Sequence, residues 1–220
     1  MVFKDRHDAG RLLAQRLLPL KGKHPVVLAL PRGGVPVGFE VARALAAPLD
    51  LVLVRKIGVP ENEEFALGAI AEGQPPELVI DAELAVRLKI PSGYLDEAKS
   101  AALTEIARRR HAYLGNRQPV NLTGCTAIVV DDGIATGATM RAALRATRAR
   151  DPARVILAVP VAAPDVLRRL RREVDDVVCL DSPDDFMSVG QFYRRFPQLR
   201  DAEVTMLLNQ AEHFSQSAQP

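Results

Sequence analysis

The chain is poor in the residues that build covalent staples and metal cages. It has two cysteines and four histidines in 220 residues, and no tryptophan. Cys125 and Cys179 fall at the start and end of apparent strands. They read as buried free thiols, not as a disulfide framework or a metal site. His7, His24, His111 and His213 are scattered without metal-ligand spacing. No apolar run approaches the roughly 20 residues of a membrane span. The first residues, Met1-Val2-Phe3-Lys4-Asp5-Arg6, carry no apolar signal region, which argues against export. A reduced, cytoplasmic setting is the expectation. The net charge of +2 gives no global basic field, so the balance argues against nucleic acid as a partner, and no helix-turn-helix is apparent. No internal repeat or low-complexity block is present.

What is there is an ordinary globular composition, 48% hydrophobic and 25% charged, long enough for one α/β domain with a sizeable core. Apolar runs and helical periodicity alternate. Asp5 to Leu18 places Ala9, Leu12, Leu13 and Leu17 on one face, and Pro19 ends it. Val26–Leu30 reads as a buried strand, Val37, Val41 and Leu45 as a helix, and Leu51–Val54 as a second buried strand. Residues 55–64 are polar and read as a long loop, with short strands near 67–71 and 78–80. Residues 81–118 have helical spacing broken at Pro91-Ser92-Gly93, an insertion of two helices. The alternation then resumes with strands at 126–131, 154–160 and 177–180, helices from about 140 to 149 and over 164–173, and a last helix over 201–213. Residues 215–220 read as a mobile tail. Buried strands alternating with helices predict a doubly wound, mostly parallel five-stranded sheet covered on both faces, all within one unit spanning 1–220. Such sheets bind ligands at the carboxyl ends of their strands, near the point where strand order reverses.

The segment Ile128-Val129-Val130-Asp131-Asp132-Gly133-Ile134-Ala135-Thr136-Gly137-Ala138-Thr139 carries the most chemistry. An apolar strand ends in two carboxylates and turns through small residues and threonines into a helix. Backbone N–H groups, hydroxyls and the helix's positive end suit a phosphate. The carboxylates suit sugar hydroxyls, or Mg²⁺ held through water. No Gly-Lys-Ser/Thr is present, so the loop is not a Walker P-loop.

That segment resembles the phosphoribosyl pyrophosphate (PRPP) signature of type I phosphoribosyltransferases. Leu30-Pro31-Arg32-Gly33-Gly34 resembles the family's pyrophosphate loop, and Val54-Arg55-Lys56-Ile57-Gly58 resembles the Arg-Lys-x-Gly loop of its adenine-specific members. The motifs occur in the family's order. The resemblance implies that Asp131 and Asp132 contact the ribose, with Mg²⁺ nearby. It implies that Thr136, Gly137, Ala138 and Thr139 hold the 5′-phosphate, with Gly133 and Ala135 also at the PRPP site. Arg32, Gly33 and Gly34 would approach the pyrophosphate, where the family often has an unusual peptide conformation. Arg55 and Lys56 would add positive charge from a mobile flap. The implied reaction moves the phosphoribosyl group of PRPP to a nitrogenous base or related amine and releases pyrophosphate, commonly in a homodimer. The insertion places the chain nearest a less characterised branch of the family.

The acceptor is less legible. Where 6-oxopurine enzymes have an aspartate before Thr-Gly, this chain has Ala135, which cannot exchange a proton with a purine nitrogen. Four of the ten aromatic residues lie within 186–196: Phe186, Phe192, Tyr193 and Phe196. Residues 181–200 are therefore a candidate hood, with Phe186, Phe192 and Tyr193 as base-stacking candidates, and a plain core or dimer contact as the competing reading. Arg108-Arg109-Arg110 and the arginines of 168–172 read as solvated helix faces. Two other functions stay open: a regulatory protein that senses PRPP or a nucleotide on the same fold, and a hydrolase that passes the group to water.

Overall fold

The computed structural model describes residues 1–60 and 62–214; the expected tail at 215–220 lies outside the described residues. Helix α1 (Arg6–Leu17) begins where the Asp5 carboxylate accepts the Asp8 N–H at 3.0 Å, a side-chain cap that satisfies an otherwise orphaned donor. Strand β1 (Pro25–Ala29) is buried along its whole length. It is followed by α2 (Gly34–Leu45) and the short β2 (Leu49–Leu51). Further along lie β6 (Thr126–Val130), α5 (Ala138–Arg148), β7 (Arg154–Val161), α6 (Pro164–Leu170), β8 (Asp176–Asp181) and α7 (Asp201–Ala211). The expected core strands and helices are present, with ends shifted by a few residues.

These strands form one parallel sheet in the order β2-β1-β6-β7-β8, with Leu28 opposite Val129 and Ile128 opposite Ile156. Runs such as Thr-Ala-Ile-Val-Val in β6 are buried at every position, because helices cover both faces of the sheet. The order reverses between β1 and β6. Their C-terminal ends therefore open side by side, where this topology places ligands.

The polar stretch at 55–64 differs from expectation. It enters an antiparallel hairpin, β3 (Val54–Val59) and β4 (Asn62–Ala71), extended by β5 (Glu77–Ile80) into a separate three-stranded sheet. The expected second strand is thus divided, with Leu51 ending β2 and Val54 beginning β3. The charges of Arg55 and Lys56 hid the strand, since its partners across the pair, Ile70 and Ala69, are remote in sequence.

The insertion forms α3 (Ala82–Arg87) and α4 (Ser92–Leu114). Ala102, Ile106, Tyr113 and Leu114 of α4 pack with Val204, Leu207 and Leu208 of α7 and with Ile57 and Ile70 of the hairpin. Arg110 donates to Glu72 at 2.8 Å, fastening α4 to the end of β4. At the opposite end, residues 192–195 run beside the N-terminus. Phe3 N–H donates to the Phe192 carbonyl at 2.8 Å, and Arg194 N–H donates to the Phe3 carbonyl at 2.9 Å. Both cysteines are free, and they are partly exposed where burial was expected. Leu12, placed on the inner face of α1 by its spacing, is also partly exposed. Among the described residues, no helix is long and apolar enough to cross a membrane.

Candidate active site at the ends of β1 and β6

The site is built by two chain reversals. At the end of β1 the Pro31–Arg32 peptide is cis, and the chain passes through Gly33 and Gly34 into α2. At the end of β6 Asp131 and Asp132 follow the last buried valine. The two turns touch. A Cβ on Gly33 would lie 2.1 Å from Asp132 Oδ2, and one on Gly34 would lie 2.7 Å from the Val130 carbonyl oxygen. Only glycine lets the backbone come this close to the acids. Gly137 adopts φ +83 at the head of α5, and a Cβ there would meet Val166 at 2.5 Å. The loop carrying Ala135, Thr136, Ala138 and Thr139 thus folds into the helix N-terminus as its sequence implies.

Asp131 and Asp132 are partly buried. Burial pushes the Asp131 carboxyl well above the ordinary carboxylate range, and the neighbouring charge of Asp132 adds to it. Burial raises Asp132 as well, but Arg6 opposes that shift. Asp132 is therefore the member that carries negative charge more readily, and Asp131 the member that keeps a proton longer. Arg6 Nε lies 2.7 Å from Asp132 Oδ2. The same guanidinium donates to the Pro197 carbonyl at 2.8 Å and lies 3.8 Å from the Phe196 ring centroid. The Tyr193 hydroxyl donates to the Asp132 carbonyl at 2.6 Å, and burial drives its phenol far above the usual range.

Of the two readings of the aromatic cluster, packing describes two of the three candidates. Phe192 and Tyr193 are each only 6% exposed. Phe192 stacks on Phe186 with centroids 5.3 Å apart, and Tyr193 stacks on Phe196 at 4.9 Å and packs against Phe3 at 5.4 Å. The rings of Phe192 and Tyr193 are thus engaged in packing, which favours the core reading for these two, while Phe186 is partly exposed. The candidate hood segment touches the loop, since a Cβ on Gly133 would lie 2.6 Å from Val189 Cγ1.

On the other side of Pro31 lies a cavity of about 580 Å³. Pro31, Arg55, Lys56 and Thr139 line it, so three of the loops singled out in the sequence converge on one space. Arg55 and Lys56 reach it from the rung of β3, not from an irregular loop. Arg32 itself points toward α7, with Nη1 3.6 Å from Asp201 Oδ1. Asp201 also accepts the Tyr113 hydroxyl at 2.7 Å. Burial and that hydrogen bond push the Tyr113 phenol up to about 12, while Arg109 and Arg32 pull the other way. A second cavity, about 600 Å³, lies beyond the loop and is lined by Lys56, Thr136, Gly137, Ala138 and Arg141. Lys56 stands between the two.

The phosphoribosyl transferase domain family matches residues 5–196. The chain belongs to that family. It is 47% identical over 96% of its length to provisionally named phosphoribosyl transferases of Mycobacterium tuberculosis strains CDC 1551 and H37Rv. It spans about half of those curated relatives, 47% of their length. Among solved structures it is similar to TT1426 from Thermus thermophilus, with 43% identity and a TM-score of 0.80. That match covers 96% of this chain and 99% of the other. The five-stranded α/β architecture is thus that of the family.

Sequence reasoning missed Arg6, Tyr113 and Asp201. Arg6 had a signal. It lies three residues before Ala9 and seven before Leu13, on the face of α1 that is buried. An arginine on an apolar stripe requires a partner. Tyr113 and Asp201 meet only through the packing of α4 on α7, which no local pattern reveals.

Proposed function

We propose that this domain transfers the 5-phosphoribosyl group of PRPP to the nitrogen of a base or related amine, releasing pyrophosphate. The observation that carries the reading is the juxtaposition of Asp131 and Asp132 with Gly33 and Gly34, beside a cavity holding Arg55 and Lys56. When the bond between the anomeric carbon and pyrophosphate breaks, positive charge grows on the ribose and negative charge on the leaving group. Carboxylates at the ribose and cations at the pyrophosphate stabilise both partners of that separation. Asp131 and Asp132 would accept the ribose hydroxyls, and Thr136, Gly137, Ala138 and Thr139 would hold the 5′-phosphate at the N-terminus of α5. Arg55 and Lys56 would face the pyrophosphate, and Arg32 would join them by leaving its contact with Asp201.

The acid pair also fits Mg²⁺ held through water. Among the described residues there is no group of three or more metal-binding side chains, so a cage made by the protein alone is not the design. Two adjacent carboxylates with substrate oxygens completing the shell match how this cation binds. Bound there, Mg²⁺ would neutralise charge on the leaving pyrophosphate. A homodimer remains part of the proposal on the family resemblance, and a cytoplasmic setting on the free cysteines. Ala135 favours an acceptor that needs no carboxylate at that position.

The test is Asp131→Asn. It removes a carboxyl whose charged form is disfavoured by burial, so the fold should hold while transfer from PRPP to a panel of purines, pyrimidines and amines is lost. Transfer by this variant at the wild-type rate would overturn the proposal.

A further inference from the structure

Helix α4 of the insertion forms one wall of the 580 Å³ cavity, with Glu97, Ala98, Ala101, Ala102 and Arg109 facing Pro31, Arg55, Lys56 and Thr139. The arginines there are held by a single carboxylate. Arg109 Nε lies 2.8 Å from Glu105 Oε1 and Arg108 Nη2 lies 3.0 Å from the same oxygen. Arg55 Nη1 approaches that oxygen at 3.8 Å. One negative charge among three guanidiniums leaves the group positive. The Arg32–Asp201–Tyr113 contact adjoins it, since Arg109 and Arg32 both act on the Tyr113 phenol.

The two neighbouring arginines of α4 are not equivalent. Arg109 lines the cavity, whereas Arg108 does not and its side chain is 60% exposed. A planar guanidinium beside a cavity suits the oxygens of a polyanion. Glu105 keeps such groups apart and oriented without neutralising them.

Resting on the function proposed above, we infer that Arg109 is a further pyrophosphate-binding residue, delivered by the insertion, and that Glu105 holds it and Arg55 in position for the incoming anion. The insertion thereby completes the side of the site that β3 leaves open, and the arginine run of α4 is divided between solvent and substrate.

The test uses calorimetric titration of the full chain with three probes: PRPP with Mg²⁺, inorganic pyrophosphate with Mg²⁺, and ribose 5-phosphate. Arg109→Gln should weaken the two pyrophosphate-bearing probes about tenfold, the loss of one charge-assisted hydrogen bond. Ribose 5-phosphate should change by less than about twofold, and Arg108→Gln should alter all three by no more than that. Arg109→Lys should recover part of the loss by restoring charge without the fork. Unchanged pyrophosphate affinity in Arg109→Gln overturns the inference alone, as does an equal loss for ribose 5-phosphate. Failure of the wild-type chain to bind PRPP overturns the functional proposal, and this inference with it.

Discussion

Arg6 and Asp132 lie 126 residues apart in sequence and 2.7 Å apart in space. The pair joins the first helix to the acids at the end of β6, and its guanidinium also reaches Phe196 and the Pro197 carbonyl. Both side chains are largely buried. Removing one partner of such a pair leaves the other uncompensated, which costs about 3 kcal/mol. Arg6→Ala is expected to lower the urea unfolding free energy by that order and to weaken PRPP binding more than Arg6→Lys does. Unfolding curves with and without PRPP check both effects. An unchanged curve would show that water already satisfies Asp132.

Gly33 fixes the distance between the loop after β1 and the same carboxylate. With a Cβ 2.1 Å from Asp132 Oδ2, Gly33→Ala must displace either the acid or the turn. A misplacement of about 1 Å near reacting groups costs on the order of a hundredfold. The expected result is a fall of that size in kcat/KM for PRPP. Gly93→Ala is the matched control, because a Cβ there meets nothing within 4 Å. Steady-state kinetics on both variants separate close approach from a general intolerance of alanine.

The parts of this site that were legible in the sequence are those whose chemistry is local. Ile128–Thr139 is a strand end, an acid pair, a turn and a helix N-terminus in one unbroken stretch, and the structure places it so. Pro31–Gly34 follows the same logic. The hairpin carrying Arg55 and Lys56 resembles a loop in sequence because strand formation there depends on partners such as Ile70 and Ala69, and on packing against α4. The aromatic cluster stays open between two readings in the sequence for a related reason. Clustering in sequence shows that rings are near one another, but whether their faces are open depends on Phe3, which arrives from the other end of the chain. Arg109 was hidden inside a run of arginines, since only the orientation of α4 tells which of them faces the cavity.

Glu72 supplies a pH signature for the attachment of the insertion. Its carboxyl is raised above the ordinary value, chiefly by burial, against the opposing effect of Arg110. A carboxyl raised in the folded state keeps its proton after the unfolded chain has lost it. The folded form then binds more protons, so stability falls as pH rises from about 4.5 through the raised value, and is level beyond it. Glu72→Gln has no such ionisation. The stability difference, wild type minus variant, should therefore decrease with rising pH across that window. Urea titrations at several pH values between 4 and 7 measure it, and a difference that increases with pH would mean that Arg110 outweighs burial.

Tyr193 and Phe192 separate packing from ligand contact. The Tyr193 hydroxyl holds the Asp132 carbonyl at 2.6 Å, so Tyr193→Phe keeps the ring and deletes one buried hydrogen bond. A loss of about 1 kcal/mol in stability is expected, with a rise in KM for PRPP as the backbone of the acid pair loosens. Phe192 has no such link, and its ring is spent against Phe186. Phe192→Leu should cost stability by loss of packing, about 1 kcal/mol, and leave the KM for both substrates unchanged once the protein is folded. A selective rise in acceptor KM for Phe192→Leu would return that ring to the base site. A rise in PRPP KM confined to Tyr193→Phe would instead show that the hood acts through the main chain of Asp132, steadying the carboxylates from behind.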